Sequence, residues 1–416
     1  MSTWHNSLQE LRTYIKNNPQ IRITSNVMSI NSELRPGFYE LFDATRMAFI
    51  NDYFSRELAN SIELSNNWHA ISEELVAGLN LDSITVIGPV KDLLYDPLLS
   101  FMKVLLQPLF DLLKGNIDEE DFEEQAKTDV ADHYERKFYL GYRNWSTLAI
   151  IKMLQPDALY TVEAIDDQID TSMVEIGPGA TPNQETVPDA TKTRTILFEN
   201  IELCSFLTPR IIVHSQLLDT FVALRPGYYL GHWHSRNLCE NQEWYNVKEL
   251  YRDFGRAYLW PDLGLYTSND LADLTLVADC YHIARPDVIV DFAEEDSWFE
   301  NADELLVMRH RDVLLPLAGT FLASRVDLPE PQRNKIEAKL NPPAEEPKES
   351  PEAPSGELEE NLPAQNAEKE DGLPVTPDAA PESAPKSGIT LIHTGYELSA
   401  FQPVVSALAA AEPCRD

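Results

Sequence analysis

The hydrophobic periodicity of this 416-residue chain changes once along its length, and that change limits its possible folds more than any other feature. From Ser7 to about Leu154, apolar residues recur at three- and four-residue spacing. Examples are "NSLQELRTYI", "ATRMAFINDYFSRELANSI" and "WHAISEELVAGL", each the pattern of a helix that buries one face. Asp43 stands before the second of these and reads as its N-cap. "SITVIGPV" at Ser83–Val90 suits a short strand or an apolar link between helices. "NIDEEDFEEQAKTDVADHYERKFYLGYRNWSTLAIIKML" reads as an acidic helix running into an apolar one, with a boundary near Gly141.

After Gln155 the pattern is lost. Residues 156–194 carry Pro178, Pro182 and Pro188, which preclude a long helix, and they read as an irregular loop. Alternation takes over across 195–295 in "RTILFENIEL", "RIIVHSQ", "DTFVALRPGYYLGHWHS", "ADLTLVADCYHI" and "DVIVDF". Two amphipathic helices are expected beside these strands, "EWYNVKELYRDFGRAYL" and "NADELLVMRHRDVLLPLAGTFLAS". Helices segregated from strands point to an α+β fold. Its body then has a mainly helical part, 1–155, and a mixed strand and helix part, 195–335.

"LRPGFY" at Leu34–Tyr39 returns as "LRPGYY" at Leu224–Tyr229, and the flanks align without a gap over 21–46 and 211–236. An internal duplication is the expectation. Each copy is predicted to form a strand, a second extended segment and a type II turn, with proline fixing φ and glycine supplying φ > 0. Arg35 and Arg225 are then turn residues rather than ligand grips.

Residues 341–387 hold ten prolines, twelve acidic residues, three lysines and no aromatic side chain. So little apolar surface cannot offset the entropy of ordering, and a disordered, charge-extended linker is expected there. Apolar residues return in 388–416. That pattern fits a docking peptide on a tether, binding another protein or a second copy through Leu391, Ile392, Tyr396, Leu398, Phe401, Val404, Val405 and Leu408. The competing reading packs the same segment back onto the body as a last strand and helix.

The formal charge is −35, and only about a quarter of that excess sits in the linker. Such a surface repels a phosphate backbone and anionic lipid, so neither nucleic acid nor membrane is expected as a partner. The most apolar segment, Asp96–Gly115, is interrupted by Lys103, Gln107 and Asp111 on one helical stripe, which argues against a membrane span. The N-terminus lacks the apolar run of a signal peptide. Cys204, Cys239, Cys280 and Cys414 form no C-x-x-C pair, and a cytoplasmic location with reduced thiols is the simplest expectation.

The chemical candidates are few. In "GHWHSRNLCE", His232 and His234 would share one face of a strand and hold zinc or iron with His214, His282, Cys239 or Glu240. "VEIGPGAT" at Val174–Thr181 resembles the glycine-rich loop of S-adenosylmethionine-dependent methyltransferases. Thr181 stands where a third glycine usually sits, and Pro182 and Pro188 follow where the next helix would run, so a turn is the reading kept. Asp287, Asp291, Glu294 and Glu295 have the composition of a Mg²⁺ site, yet no lysine occurs from Asp287 to Asn334. They read as the solvated start of a helix. P-loop, H-E-x-x-H and G-x-S-x-G motifs are absent from the sequence.

These residues together suggest an acidic interaction or assembly protein without a cofactor. The alternative is a metal-dependent enzyme centred on His232 and His234.

Overall fold

The computed structural model describes residues 3–24, 27–162, 190–198, 211–226, 261–274, 286–300, 304–342 and 388–411. The fold is α+β, helical in its first part and built on a large mixed sheet in its second. Helix α1 (Thr3–Asn17) leads into a small hairpin of β1 (Arg22–Ile23) and β2 (Met28–Ser29). Helices α2 (Arg35–Tyr53) and α3 (Ser55–Leu79) follow, then β3 (Ser83–Val86), α4 (Val90–Tyr95), α5 (Pro97–Val104), α6 (Leu106–Lys114) and α7 (Glu119–Met153). The apolar segment 96–115 is thus two helices. In a continuous helix the Pro108 ring would clash with the carbonyl of Val104, four residues back, and α5 ends there. Its polar stripe is real: Lys103 pairs with Asp92 at 2.8 Å, and the Gln107 amide donates to Asp111 at 2.8 Å.

Helix α7 is continuous over 35 residues, capped by Asp118, whose carboxylate accepts from the Asp121 N–H at 2.9 Å. The boundary expected near Gly141 is not there. Gly141 instead lets the helix sit close against its neighbours, since a Cβ at this position would lie 2.8 Å from Leu64 Cδ2. Asp43 is not a cap either: α2 begins eight residues earlier, and Asp43 pairs with Arg46 one turn on.

The second part supplies β4 (Pro156–Val162), β5 (Ala190–Thr193), β6 (Thr195–Phe198), β7 (Ile211–Ser215), β8 (Thr220–Pro226), β9 (Leu263–Ser268) and β10 (Val288–Ala293). Then come α8 (Glu304–Leu314), β11 (Gly319–Ser324), α9 (Glu330–Leu340), β12 (Ile389–His393) and α10 (Gln402–Ala410). Eight strands form one sheet in the order β12-β11-β10-β9-β8-β7-β4-β5, while β3 and β6 pair separately in parallel. From β9 outward to β5 the neighbours are antiparallel, whereas β10, β11 and β12 run parallel, joined by α8 and α9. Strands β9, β10 and β11 are buried at every residue, as expected of a sheet covered on both faces. Val288, Val290 and Phe292 join the core made with α7 and α10, while Ile289 packs on the other side with Leu306 and Leu314 of α8.

Four further expectations meet different structure. The ends of the segment read as a loop, 156–162 and 190–193, are paired strands of the sheet; residues 163–189, with "VEIGPGAT", lie outside the described residues. The single helix expected over 301–324 is a helix and a strand. Leu315 takes φ 47° and Pro316 follows it, so the helix stops, and "GTFLAS" pairs with β10. The two copies share an extended start, Arg22–Ile23 and Ile212–Val213, and then diverge: Arg35 and Pro36 open α2, whereas Leu224, Arg225 and Pro226 end β8 opposite Ile211 and Leu263–Leu265. Proline at φ near −65° suits both a first helical turn and the end of a strand, so the local sequence leaves the choice to packing. The alignment continues to 236, but residues 227–236 lie outside the described residues, as do the linker from 343 to 387 and the helix expected at 243–259.

The fourth difference concerns the C-terminal segment. β12 adds to β11 in parallel, Thr320↔Ile389 to Ser324↔His393, and α10 packs on α7 and β10. Leu391, Ile392, Phe401, Val404, Val405 and Leu408 are all buried in the body, and Tyr396 sets its ring edge-on to Trp145 at 5.0 Å. The residues expected to reach a partner are therefore core residues of their own chain. The physical reason is that the body offers a free edge at β11 and apolar surface on α7, β10 and the helices before β12 for these side chains to cover.

Candidate functional site

Order changes at β10. Its neighbour β9 runs antiparallel to it and β11 runs parallel, so the carboxyl end of β10 is where the sheet switches from one connection rule to the other. Chain connections diverge at such a point, and crevices form there. Asp291 lies near that end. Asp262 precedes β9, beside Asp291, and donates its backbone N–H to Asp291 Oδ1 at 3.1 Å. The chain after β10 turns through Glu294 and Glu295 into a short 3-10 turn, Asp296–Phe299, and returns along α8, which carries His310. Helix α7 passes over the crevice and contributes Tyr139.

These elements enclose a cavity of about 370 Å³, lined within by Asp262, Asp291, Glu294, His310, Tyr139 and Trp298. Leu306 and Val307 form an apolar wall, and Asp132, Glu135 and Arg136 of α7 stand exposed at its mouth.

The interior groups have defined partners. His310 is buried and donates from Nδ1 to the Asp291 carboxylate, at 2.9 Å to Oδ2 and 3.0 Å to Oδ1, which assigns its tautomer and holds its ring. Asp262 is buried too; its Oδ2 accepts from the Phe292 N–H at 2.7 Å and its Oδ1 from the Tyr139 hydroxyl. Glu294 differs, because its Oε2 is buried and has no hydrogen-bond partner. Its backbone carbonyl accepts from Arg325 Nε at 2.6 Å, which fixes the turn while leaving the side chain to the cavity.

This arrangement separates the proton affinities of two carboxyls. Burial, and next the charge of Asp291, push Asp262 up to about 6, with Arg143, Tyr139 and the Phe292 N–H pulling the other way. Burial pushes Glu294 further, to about 8, helped by the charges of Asp262, Glu295 and Glu135. Both carboxyls are thus raised above the ordinary carboxylate range, Glu294 more than Asp262. Two carboxyl groups driven apart in this way form an acid and a base in one site.

The acidic run read as a solvated helix start is therefore corrected. Asp291 is buried in a central strand, Asp287 is buried directly before it, Glu294 lines a cavity, and Glu295 is half-buried and accepts from the Tyr134 hydroxyl; Asp296, just after the run, is exposed. Asp287 does not share the site. It lies just before β10 and accepts from the Thr267 N–H at 2.6 Å and the Thr267 hydroxyl at 2.8 Å.

Among the metal candidates, His214 is described, on β7. Its Nδ1 lies 2.8 Å from Asp157 Oδ1, away from the cavity, and this contact holds the Asp157 carboxyl below its ordinary range. His232, His234, Cys239, Glu240 and His282 lie outside the described residues, as do Cys204, Cys280 and Cys414. Among the described residues no three His, Cys, Asp or Glu side chains group as a metal-ligand set. No described helix is long and apolar enough to cross a membrane.

Sequence reading reached Asp291 and Glu294 but missed Asp262, His310 and Tyr139. Asp262 had one faint signal, a charge set directly before the apolar run "LGLY". His310 and Tyr139 sit in ordinary helical patterns and had none. No protein-family model matches the chain, and no curated protein or solved structure is significantly similar to it.

Proposed function

We propose that this protein is an acid–base enzyme acting on a small molecule in the cavity at the carboxyl end of β10. Protonated Glu294 is the acid, ionised Asp262 the base, and His310, oriented by Asp291, a fixed hydrogen-bonding wall. The reading rests on one observation: two carboxyl groups with separated proton affinities line the same 370 Å³ cavity. That volume falls within the range of small-molecule sites. The chemistry it suits is a hydrolysis or isomerisation in which one carboxyl gives a proton as the other takes one. Tyr139 and the Phe292 N–H stabilise the ionised form of Asp262 and so keep it below Glu294.

The interaction reading needs the apolar residues of 389–411 to be presented to a partner. They serve as a strand and a helix of the body, so the cavity carries the functional reading instead.

A small epoxide such as glycidol tests the pairing directly. Ring opening requires a carboxylate oxygen to attack carbon while the breaking C–O bond collects a proton from a neighbouring acid. An ester on Asp262, located by peptide mass spectrometry, is expected. Its rate should be bell-shaped in pH, with limbs near 6 and 8, and should fall at least about tenfold in Glu294→Gln. Labelling spread over surface carboxylates, unchanged in that variant, would overturn the proposal.

A further inference from the structure

Asp262 and Asp291 adjoin in a buried place, where two carboxylates repel each other. Asp291 has His310 against it. What balances Asp262 comes from α7. Tyr139 and Arg143 stand four residues apart on that helix and so share a face. The Tyr139 hydroxyl donates to Asp262 Oδ1, and the Arg143 guanidinium lies over the Tyr139 ring, 5.7 Å from its centroid. Arg143 is buried, and its Nε has no hydrogen-bond partner. A guanidinium taken out of water in this way is costly unless a negative charge stands near it. Burial and then Asp291 raise the proton affinity of Asp262, and Arg143 leads the influences that pull it back. Glu294 is raised first by burial, and the charges acting on it are those of Asp262, Glu295 and Glu135. The other groups facing Asp262 are Asp291, Glu294 and His310, with Asp132, Glu135 and Arg136 exposed at the mouth. Arg225 of β8 stands opposite Gly264, further along β9.

We propose that Arg143 is a positioning residue for the base: its guanidinium, lying on the Tyr139 ring, holds Asp262 ionised beside Asp291 and leaves Glu294 to its carboxylate neighbours. This rests on the acid–base reading and deepens it, because it names what makes one of two buried carboxyls the base. Arg143 is not part of the cavity wall and acts through Tyr139 and Asp262. An arginine keeps its charge at every pH at which the carboxyls titrate, so its field on Asp262 is constant.

The test is the pH profile of Asp262 labelling by glycidol, measured on the full chain with Arg143 changed. Arg143→Met keeps an apolar stem and removes the charge. Its acidic limb, near 6 in the unaltered chain, is expected to rise by at least about one pH unit, so that labelling at pH 5 falls about tenfold. Arg143→Lys keeps the charge and is expected to hold that limb within about half a unit. The alkaline limb, which belongs to Glu294, should stay near 8 in both. A merely structural role for Arg143 would lower the urea midpoint and leave the acidic limb in place.

An acidic limb that stays near 6 in Arg143→Met would overturn the proposal, whatever that variant loses in stability. Should Arg143→Met not fold, Arg143→Lys decides: a limb held near 6 supports the proposal, and a limb moved by a unit or more with the charge kept overturns it. If glycidol labels Asp262 in a Glu294-dependent way but the limb ignores the charge at position 143, the acid–base reading stands and the role of Arg143 alone is wrong. If glycidol does not label Asp262 in the unaltered chain, both fall.

Discussion

The two ends of β10 carry the same residue type in opposite circumstances. Just before its start, Asp287 is buried and both its donors come from Thr267, on the neighbouring antiparallel strand, so its Oδ2 holds β9 against β10. At the far end, Asp291, Asp262 and Glu294 are crowded together where the sheet changes its connection rule, and one acceptor among them has no donor. Burial raises the proton affinity of Asp287, Asp262 and Glu294 alike. What distinguishes the ends is the neighbourhood. A hydroxyl and an N–H offset burial at Asp287, whereas other carboxylates add to it at Asp262 and Glu294. Buried acids on one strand can thus be structural or chemically poised, and the partner set separates them.

The strongest way to break this contrast is Asp291→Ala. It leaves His310 and the Asp262 N–H buried without their acceptor, and a loss of about 3–5 kcal/mol in urea unfolding at pH 7 is expected. A loss under about 1 kcal/mol would mean that the His310 pair is not held in a dry site.

Glu294→Gln comes next and acts through pH. The folded-state value of about 8 lies above the ordinary 4.5, so between those values the native chain keeps a proton that the unfolded chain releases. Stability contributed by Glu294 is therefore fully present below pH 4.5 and declines as pH rises to about 8, by on the order of 2–4 kcal/mol. Asp262 adds a decline of the same sign from about 4 to about 6. Unfolding midpoints measured from pH 5 to 9 should flatten above pH 6 in Glu294→Gln and keep the earlier slope. An unchanged profile would place Glu294 in water.

Asp287→Ala has the smallest expected effect, about 1–3 kcal/mol from the unpaired Thr267 donors. Glycidol labelling of Asp262 should not change in this variant. A change beyond about threefold would show that the two ends of the strand are coupled.

Part of this architecture is legible in the order of residues. "DVIVDF" announces a buried strand, and the helices of the first 154 residues announce themselves by spacing, because burial on one face imposes a period on any amphipathic element. Local rules fail where two packings suit one sequence. "LRPG" opens a helix in one place and ends a strand in another. "RDVLLPLAGTFLAS" reads as helix on apolar spacing, but Leu315 and Pro316 break it. The segment 388–411 has the composition of a free docking peptide and also of the last strand and helix of a body. What decides between them is the edge that β11 offers, which is written elsewhere in the chain.

The sequence alone determined the α+β class, the element types within strongly periodic stretches and the acidity of the chain, since these follow from composition and spacing over short windows. Only the tertiary structure decided which acids meet. Asp262 and Asp291 are 29 residues apart, and Tyr139 and Asp262 are 123 apart. Their encounter depends on strand register and on where α7 crosses the sheet. Proton affinity follows from such an encounter because it is set by desolvation and neighbouring charge, and both are properties of the folded surroundings.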